Sequence, residues 1–275
     1  IVNASEVIEM HDSPTAALKQ KKDSSIVVGL TIHKEGKADA FISAGNTGAV
    51  MSVSTIILGR VEGVSRPTIG AFFPTEHGAC MIVDAGANVD CKPQHLLEFG
   101  IMGSIYANYI FGYPNPAVGI LSIGEEETKG NESTLEAYKL LKASKLNFVG
   151  NIEGRDILKG KAQVVVCDGF VGNILLKFGE SILGMLKSKL RSFAEENILN
   201  KIKAALAYGT LKKVLKDFDY QEHGGVPLLG VNGVSIIGHG GSTPKAIKNM
   251  IYRAEEMVQK EINRHIAEVM LEYKK

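Results

Sequence analysis

The stretch that decides the fold is Ala38-Asp39-Ala40-Phe41-Ile42-Ser43-Ala44-Gly45-Asn46-Thr47-Gly48-Ala49-Val50. An apolar run passes into a Gly-Asn-Thr-Gly turn and then into a helical pattern, which predicts a strand, a tight turn and a helix. The unpaired N–H groups at the start of a helix, together with the positive end of its dipole, favour an anion. Gly45 and Gly48 permit the turn and let a ligand approach the backbone. The turn is therefore either an anion site or an ordinary strand–helix connection with Thr47 as the helix cap.

The composition is that of a globular protein. The 275 residues suffice for one large α/β domain or two smaller ones, and 45% are hydrophobic while 22% are charged. A formal net charge of +1 argues against a general nucleic-acid binder. No uninterrupted apolar run reaches the roughly 18 residues that a membrane-spanning helix needs.

The cysteines and the chain start indicate where the protein works. Cys80, Cys91 and Cys167 are too few and too scattered for a disulfide framework or a thiolate zinc site, so we expect an intracellular, reduced protein. The start lacks both an initiating Met and the basic and apolar regions of a signal peptide. We expect a single α/β domain over residues 1–275, with an N-terminal segment missing.

Short apolar runs alternate with helical patterns, which predicts βαβ units and a mostly parallel sheet. Several runs are apolar throughout, as in strands covered by helices on both faces. The predicted strands are 39–43, 68–73, 79–85, 117–123, 147–150, 163–168 and 234–238. The predicted helices are 24–35, 47–58, 93–111, 133–143 and 244 to the end of the chain.

One segment, residues 178–220, interrupts the alternation with helical sequence alone, which predicts a helical arm projecting from the sheet. Between residues 181 and 216 it carries eight bases and two acids, interleaved with apolar residues. A basic amphipathic element can lie on an anionic membrane or bind an acidic partner. It can equally be a solvated helix pair packed on itself or on a second subunit.

Polar residues gather after four of the predicted strands, where open α/β sheets bind ligands. Asp84-Ala85-Gly86-Ala87-Asn88 follows one strand, and Gly124-Glu125-Glu126-Glu127-Thr128-Lys129-Gly130 follows another. Asp168-Gly169-Phe170-Val171-Gly172-Asn173 opens a helix with Lys177, and His239-Gly240-Gly241-Ser242-Thr243-Pro244 opens the last helix. With the Gly45–Gly48 turn, three helices begin at glycine-rich turns, and a common anion site is the simplest account.

The individual residues in these loops have structural alternatives. Asp84 and Asp168 can simply cap turns, and His239 can cap a helix rather than contact a ligand. The acids at 125–127 suit a solvated run better than a metal site, and Cys167 suits the core better than a nucleophile. The chain has no complete dinucleotide fingerprint, no Walker loop, no Gly-x-Ser-x-Gly elbow and no His-Glu-x-x-His helix.

The turns, in this order, resemble the phosphate acyltransferases of bacterial phospholipid synthesis, the PlsX family. The resemblance covers essentially the whole chain. Its matching stretches are Ser43 to Gly48, Asp84 to Asn88, Gly124 to Gly130, Asn147-Phe148-Val149-Gly150-Asn151-Ile152-Glu153-Gly154, Cys167 to Asn173 and Pro227-Leu228-Leu229-Gly230. It implies a three-layer α/β/α sandwich like those of phosphotransacetylases and isocitrate/isopropylmalate dehydrogenases.

The resemblance implies that inorganic phosphate and acyl-[acyl carrier protein] give acyl phosphate and free carrier protein. The family is typically homodimeric and works at the inner face of the membrane, beside the membrane acyltransferase that acylates glycerol phosphate. Phosphate is its own nucleophile, so this chemistry needs neither a metal nor a cofactor, and the protein holds an anion against a thioester carbonyl. We expect the basic arm to contact membrane, carrier protein or both.

We assign the site residues as follows. Phosphate binding is expected from Ser43, Gly45, Asn46, Thr47, Gly48, Gly172, Asn173 and Lys177. Asn88, Lys129 or His239 would polarise the carbonyl or protonate the leaving thiolate, while Asp84 and Asp168 would orient these groups. Two other readings stay open at this point. One is a dehydrogenase of the isocitrate/isopropylmalate type, and the other is a non-catalytic scaffold at the membrane surface.

Overall fold

The computed structural model describes residues 1–13, 19–214, 216–218 and 220–273. Within these residues the strands are β1 (Ala40–Ser43), β2 (Thr68–Thr75), β3 (Gly78–Val83), β4 (Val118–Leu121), β5 (Phe148–Ile152), β6 (Val164–Val166), β7 (Val226–Leu229) and β8 (Val234–Ile237). The helices are α1 (Ser25–Lys34), α2 (Thr47–Ile57), α3 (Pro93–Phe111), α4 (Glu132–Ala143), α5 (Gly169–Glu195), α6 (Ile198–Val214), α7 (Tyr220–His223), α8 (Pro244–Gln259) and α9 (Ile262–Tyr273).

All eight of these strands form one mixed sheet in the order β1-β8-β7-β2-β3-β6-β4-β5. Four of the seven pairings in the described chain are parallel, and the antiparallel ones are β2 with β3, β2 with β7, and β7 with β8. These reversals make β1 and β8 run opposite to β3, β6, β4 and β5. We call the edge where β3, β6, β4 and β5 end the Asp84 edge, and the edge where β1 and β8 end the Ser43 edge.

Helices cover both faces of the sheet. On one face, Ala49, Val50 and Val53 of α2 pack with Ile69 and Ala71 of β2 in a buried cluster. On the other face α3 lies so close to the strands that a Cβ at Gly103 would be 2.7 Å from the Val164 side chain. This face also carries α8, which joins the same core through Met250 and Ala254. The result is a three-layer α/β/α sandwich.

The long helix α5 begins at the Asp84 edge and crosses the sheet. A Cβ at Gly179 would be 2.8 Å from the Phe73 ring, so α5 still lies on β2 at this point. Past Gly179 its residues are exposed or half-buried. At about 1.5 Å per residue the 27-residue helix is roughly 40 Å long. It therefore extends beyond the sheet at the Ser43 edge.

Helices α5 and α6 pack against each other as the arm, residues 178–214. Few of the described residues in the arm are buried, and Ala204, which is 6% exposed, is one of them. Its large apolar residues are exposed: Ile182, Met185, Leu186, Phe193, Ile198, Leu199, Ile202, Leu206 and Leu211. Among the described helices, α5 alone has the length and mean hydropathy of a membrane span, and by itself this is weak evidence for one.

The predicted fold class is confirmed, and most predicted elements begin or end within a residue or two of the observed ones. Two predictions were wrong. The strand β7 was missed because it is short and contains Pro227, which cannot donate to a ladder. The closing helix is broken into α8 and α9, since Glu261 adopts φ 48° between them.

Candidate active site

The carboxylate of Asp84 organises the loop that follows β3. Its side chain is fully buried. Oδ1 accepts hydrogen bonds from the backbone N–H groups of Ile69, Gly86 and Ala87, and Oδ2 accepts one from the N–H of Asn88 at 2.6 Å. Burial raises the pKa of Asp84 above its ordinary value, and the hydrogen bonds from these donors offset part of that rise. The carboxylate therefore holds a four-residue turn around itself.

The amide of Asn88 joins this turn to the segment before β2. Its Nδ2 donates to Oδ2 of Asp84 and to the carbonyl oxygen of Pro67, at 2.8 Å each. Both amide protons are thus engaged, and the remaining side-chain atom, Oδ1, is an acceptor only. This arrangement argues against Asn88 as the donor that polarises a carbonyl, and it favours a positioning role.

The start of α5 interlocks with the Asp84 turn. Asp168 caps the helix, because its Oδ1 accepts the Val171 N–H at 2.9 Å. The Gly169 N–H donates to the Asn88 carbonyl at 2.7 Å. A Cβ at Gly172 would lie 1.8 Å from the Asp84 carbonyl oxygen, so only glycine fits there. The predicted loops 84–88 and 168–173 therefore form one assembly at the Asp84 edge.

Lys129 lies in a third loop at the same edge, after β4. Its carbonyl accepts from Oγ of Ser122 at 2.9 Å, and the Asn151 amide holds the Glu126 carbonyl at 2.7 Å. The loop is thus fixed while Lys129 itself is exposed. Its ammonium group makes no hydrogen bond or ion pair with a residue that the structure describes, so it is available to an anion.

The acidic triplet beside Lys129 does not converge on one point. Glu125 pairs with Lys161 at 2.9 Å, whereas Glu127 pairs with Lys142 at 2.7 Å. Over the described residues, no group of three or more His, Cys, Asp or Glu side chains is suited to a metal. The triplet therefore has the geometry of a solvated acidic run.

The turn at the start of α2 lies at the other edge. Asn46, rather than Thr47, is the helix cap, because its Oδ1 accepts the Ala49 N–H at 3.0 Å. Its Nδ2 donates to the carbonyls of Glu9 and Met10 at 3.1 and 3.2 Å. The Asn46 side chain therefore binds both the start of α2 and the backbone of residues 9–10. The next residue, Thr47, is exposed.

Ser43 and His239 accompany this turn. Oγ of Ser43 accepts the Gly45 N–H at 3.1 Å, and the Ser43 carbonyl accepts the Gly238 N–H at 2.8 Å. His239 is exposed, and its Nδ1 accepts the Gly241 N–H at 3.0 Å. The turns after β1 and β8 are therefore neighbours at the Ser43 edge.

The predicted site loops lie at two edges of the sheet, and the single pocket that would join all of them stays a prediction. The two groups are linked through α2, because Met51, four residues after Thr47, lines a groove together with Asn88. The Asp84 edge holds Asp84, Asn88, Lys129 and the 168–173 turn, whereas the Ser43 edge holds Ser43 to Gly48 and His239. The reason is the direction of β1 and β8, which non-local pairing reverses.

Lys177 belongs to neither group of loops. It is exposed on the part of α5 that crosses the sheet between the two edges. Its neighbour Leu176 packs on the apolar cluster that contains Ala49 and Val50 of α2. The phosphate-binding role assigned to Lys177 and to residues 43–48 stays a prediction.

Burial suppresses the reactivity of all three thiols. It raises the pKa of Cys80 to about 12 and that of Cys91 to about 11, and it also raises the pKa of Cys167. The thiolate is the nucleophilic form, so none of them is activated near neutral pH.

Sequence reasoning missed a cluster beside Asn88 that contains Arg66, His95 and Glu98. Glu98 is 2% exposed and accepts the N–H and hydroxyl of Ser65 at 2.8 and 2.7 Å. His95 accepts the Lys92 N–H through Nδ1, and burial with the nearby Arg66 charge lowers its pKa. No local motif marks these residues, because more than 25 positions separate Arg66 from its neighbours on α3.

The sheet and its helical layers define an α/β protein with the phosphotransacetylase fold. The EutD phosphotransacetylase from Staphylococcus aureus matches with a TM-score of 0.55 and 17% identity, over 86% of this chain and 68% of that one. A phosphotransacetylase from Streptococcus pyogenes matches with a TM-score of 0.53 and 18% identity, over 94% of this chain and 70% of that one. At these identities the likeness concerns the fold alone.

The chain belongs to the phosphate acyltransferase (PlsX) family. The model of that family, described as "Fatty acid synthesis protein", matches residues 1–265. A phosphate acyltransferase from Pelotomaculum thermopropionicum is 53% identical over 94% of this chain and 76% of its own length. A phosphate acyltransferase from Chlorobaculum parvum is 51% identical over 98% of this chain and 82% of its own length. The chain is therefore an acyltransferase of lipid synthesis.

Proposed function

We propose that the protein transfers a fatty acyl group from acyl-[acyl carrier protein] to inorganic phosphate. A phosphate oxygen attacks the thioester carbonyl carbon, the tetrahedral intermediate collapses, and the carbon–sulfur bond breaks. The products are acyl phosphate and the carrier thiol, whose sulfur takes up a proton. The observation that carries the proposal is the Asp84 edge, where a helix start and an available lysine lie on rigidly held loops.

The chemistry of the edge suits phosphate as the nucleophile. The protein has to supply positive charge and N–H donors for phosphate and for the oxyanion that develops on the carbonyl. Lys129 offers a cation on a fixed loop, and the first turn of α5 offers its dipole and the Phe170 N–H, since the Gly169 and Val171 N–H groups are already bound. The buried thiols are unsuited to form an acyl-enzyme, which favours direct transfer to phosphate.

Lys129→Ala tests this assignment. Losing one donor to a developing oxyanion typically lowers the rate by about 10²–10³. We expect such a fall in phosphate-dependent release of carrier thiol, with the fold retained. The matched control is Lys139→Ala, which removes an exposed lysine of α4 that pairs with Glu136. Wild-type turnover in Lys129→Ala would show that Lys129 has no catalytic role.

We also propose that the arm contacts an acidic surface, that of the membrane or the carrier protein. The arm exposes Ile198 at 81% and Leu206 at 75%, among lysines and arginine on the same two helices. Apolar side chains among bases suit an interface with anionic lipid headgroups. Membrane contact would place the protein at the inner face of the membrane, where the glycerol-phosphate acyltransferase consumes acyl phosphate.

Sedimentation with vesicles tests the membrane contact. Binding to vesicles containing anionic lipid should be strong at low salt and weaker at high salt, because the bases are exposed. Leu206→Glu should reduce binding at both salt concentrations. The control is Leu271→Glu on α9, a leucine 39% exposed outside the arm. Absence of salt-sensitive binding would dismiss the membrane contact.

A homodimer is the other proposed use of the apolar arm surface. An exposed apolar face of this extent is typical of an interface. Sedimentation velocity should show a dimer. If Leu206→Glu yields monomers and leaves vesicle binding intact, the arm serves the dimer and not the membrane.

A further inference from the structure

A groove of about 380 Å³ opens between α2 and the segment before β2. One wall is formed by Met51, Ser52 and Ile56, and the opposite wall by Arg66 and Pro67, with Asn88 beside them. The volume lies within the range of small-molecule sites. The groove lies at the Asp84 edge, because β2 begins there and Asn88 belongs to the Asp84 turn. It therefore adjoins the proposed reaction site.

The backbone on both sides of Arg66 is held firmly. Buried Glu98 binds Ser65 through two hydrogen bonds, and the Arg60 guanidinium donates to the Ser65 carbonyl. On the other side the Pro67 carbonyl accepts from the Asn88 amide. The Arg66 guanidinium itself makes no hydrogen bond or ion pair with any residue in the described ranges. The hydrogen bonds to Ser65 and Pro67 therefore fix the backbone position of Arg66, while its guanidinium stays available to a ligand.

The charges around the groove favour an anion. Arg66 lines the groove, and its charge also contributes to lowering the pKa of His95 on α3. Lys92 adds a second positive charge near His95. The acids whose charges act on His95 and Cys91 are the buried Asp84 and Glu98, whose oxygens already accept hydrogen bonds, and Asp168, which caps α5. A planar guanidinium matches phosphate oxygens through two parallel hydrogen bonds.

The wall on α2 is apolar. Ile56 is 58% exposed although it is a large aliphatic residue, and Met51 beside it is half-buried. An alkyl chain lying on these side chains would remove apolar surface from water on both partners. The groove thus combines a cation and an apolar wall within one small volume. A ligand that matches both has an anionic head and an alkyl chain.

We propose that this groove holds acyl phosphate, with the phosphate on Arg66 and the first part of the acyl chain along Met51 and Ile56. The inference rests on the proposed acyl transfer to phosphate and names a site for its product. The phosphate of a carrier protein's prosthetic arm is a less suitable occupant. It is separated from the thioester by the length of that arm, whereas Arg66 adjoins the reacting loops.

Alkylphosphonates, which are stable analogues of acyl phosphate, test the groove by calorimetry. The wild-type protein should bind octylphosphonate more tightly than butylphosphonate, by up to about fourfold for each buried methylene. Arg66→Ala should weaken both ligands by a similar factor, about 10–100-fold, since the shared phosphonate loses its hydrogen bonds to a charged group. Ile56→Gln should reduce the advantage of octylphosphonate and leave butylphosphonate nearly unchanged.

Two surface variants serve as matched controls. Arg264→Ala removes an exposed arginine of α9 that pairs with Glu261 and Glu268, and Ile251→Gln replaces an isoleucine of α8 that is 52% exposed. Both should bind like the wild type. Circular dichroism verifies the fold of every variant. Wild-type binding by Arg66→Ala, or equal affinity of the two phosphonates for the wild type, would overturn the assignment.

The calorimetric test does not depend on turnover. If the wild type releases no carrier thiol with phosphate, the proposed function fails whatever binds in the groove. If it releases thiol and Arg66→Ala binds phosphonates normally, the proposed function stands and the assignment of the groove fails. Inhibition that is competitive with inorganic phosphate, and that weakens in Arg66→Ala, would support both.

Discussion

The side-chain nitrogen of Asn88 lies 2.8 Å from Oδ2 of Asp84, and the backbone nitrogen of Asn88 lies 2.6 Å from the same oxygen. One carboxylate oxygen therefore holds both the main chain and the side chain of the last residue in the turn. Because the second amide proton of Asn88 reaches the Pro67 carbonyl, the turn is tied to the residue before β2, which also lines the groove.

Replacing Asn88 by alanine should lower stability and activity together. The variant loses two hydrogen bonds, one of them to a buried carboxylate, and leaves the Pro67 carbonyl without this donor. We expect a fall of about 2–4 kcal/mol in the free energy of unfolding, measured with denaturant. A variant of wild-type stability that has lost its activity would instead identify Asn88 as a direct participant in the reaction.

Gly172→Ala should damage the contact between α5 and the Asp84 turn. The new Cβ would lie 1.8 Å from the Asp84 carbonyl oxygen, so the helix start or the turn has to shift. We expect a loss of at least about 1–3 kcal/mol in stability and a marked loss of activity. Thermal unfolding and the thiol-release assay measure the two effects.

The control for this change lies in the same helix. A Cβ at Gly184 meets no atom within 4 Å. Gly184→Ala should therefore leave activity unchanged and raise stability by up to about 1 kcal/mol through helix propensity. If both glycine variants behaved alike, the close approach at Gly172 would not be what constrains the site.

The three cysteines should be unreactive in the folded protein. Burial raises each thiol pKa, so the thiolate population near neutral pH is very small. Iodoacetamide at pH 7.5 should label none of them and leave turnover unchanged, while the protein in denaturant should take up three labels. Mass spectrometry gives the count. Rapid labelling of Cys167 with loss of activity would reopen the question of a thiol intermediate.

His95 should make the protein less stable at acid pH. Its pKa is lowered in the folded state by burial and by the charge of Arg66, from an ordinary value of 6.5. Below pH 6.5 the unfolded chain binds a proton that the folded chain binds only at lower pH. The free energy of unfolding therefore falls as pH decreases from 6.5 to the folded pKa, and this contribution is constant above that window.

His95→Asn isolates this effect from the other titrating groups. Oδ1 of asparagine can accept the Lys92 N–H as Nδ1 of His95 does. Denaturant midpoints at pH 7.5 and 5.0 should differ more for the wild type than for the variant. An equal or larger difference in the variant would mean that His95 does not titrate with a lowered pKa.

Local patterns in the sequence predicted most of the elements but not their directions. Pro93 and Phe111 bound a helix that was predicted to the residue, because Pro at the first position and Gly112 after the end are local signals. The direction of β1 and β8 depends on the pairing of β7 with β2. Because Pro227 makes β7 look unlike a strand, this pairing was not predicted. The sequence alone therefore did not show that β1 and β8 end at a different edge from β3, β6, β4 and β5.

The groove at Arg66 shows a second limit of sequence reasoning. Glu98 on α3 fixes Ser65, which is 33 positions earlier in the chain. Only the packing of α3 against the sheet brings the two together. By contrast, Asp84 and Asp168 each follow an apolar run and come one or two positions before a glycine, and that signal is local. Residues that act through a local turn can be found in one sequence, whereas this cluster requires the fold.

Release of carrier thiol from acyl-[acyl carrier protein], with and without inorganic phosphate, tests the central claim most directly. The purified protein should release thiol at a rate that rises with phosphate concentration and saturates, and an equal amount of acyl phosphate should form. Thiol release that is independent of phosphate, or no release at all by the folded protein, would contradict the account.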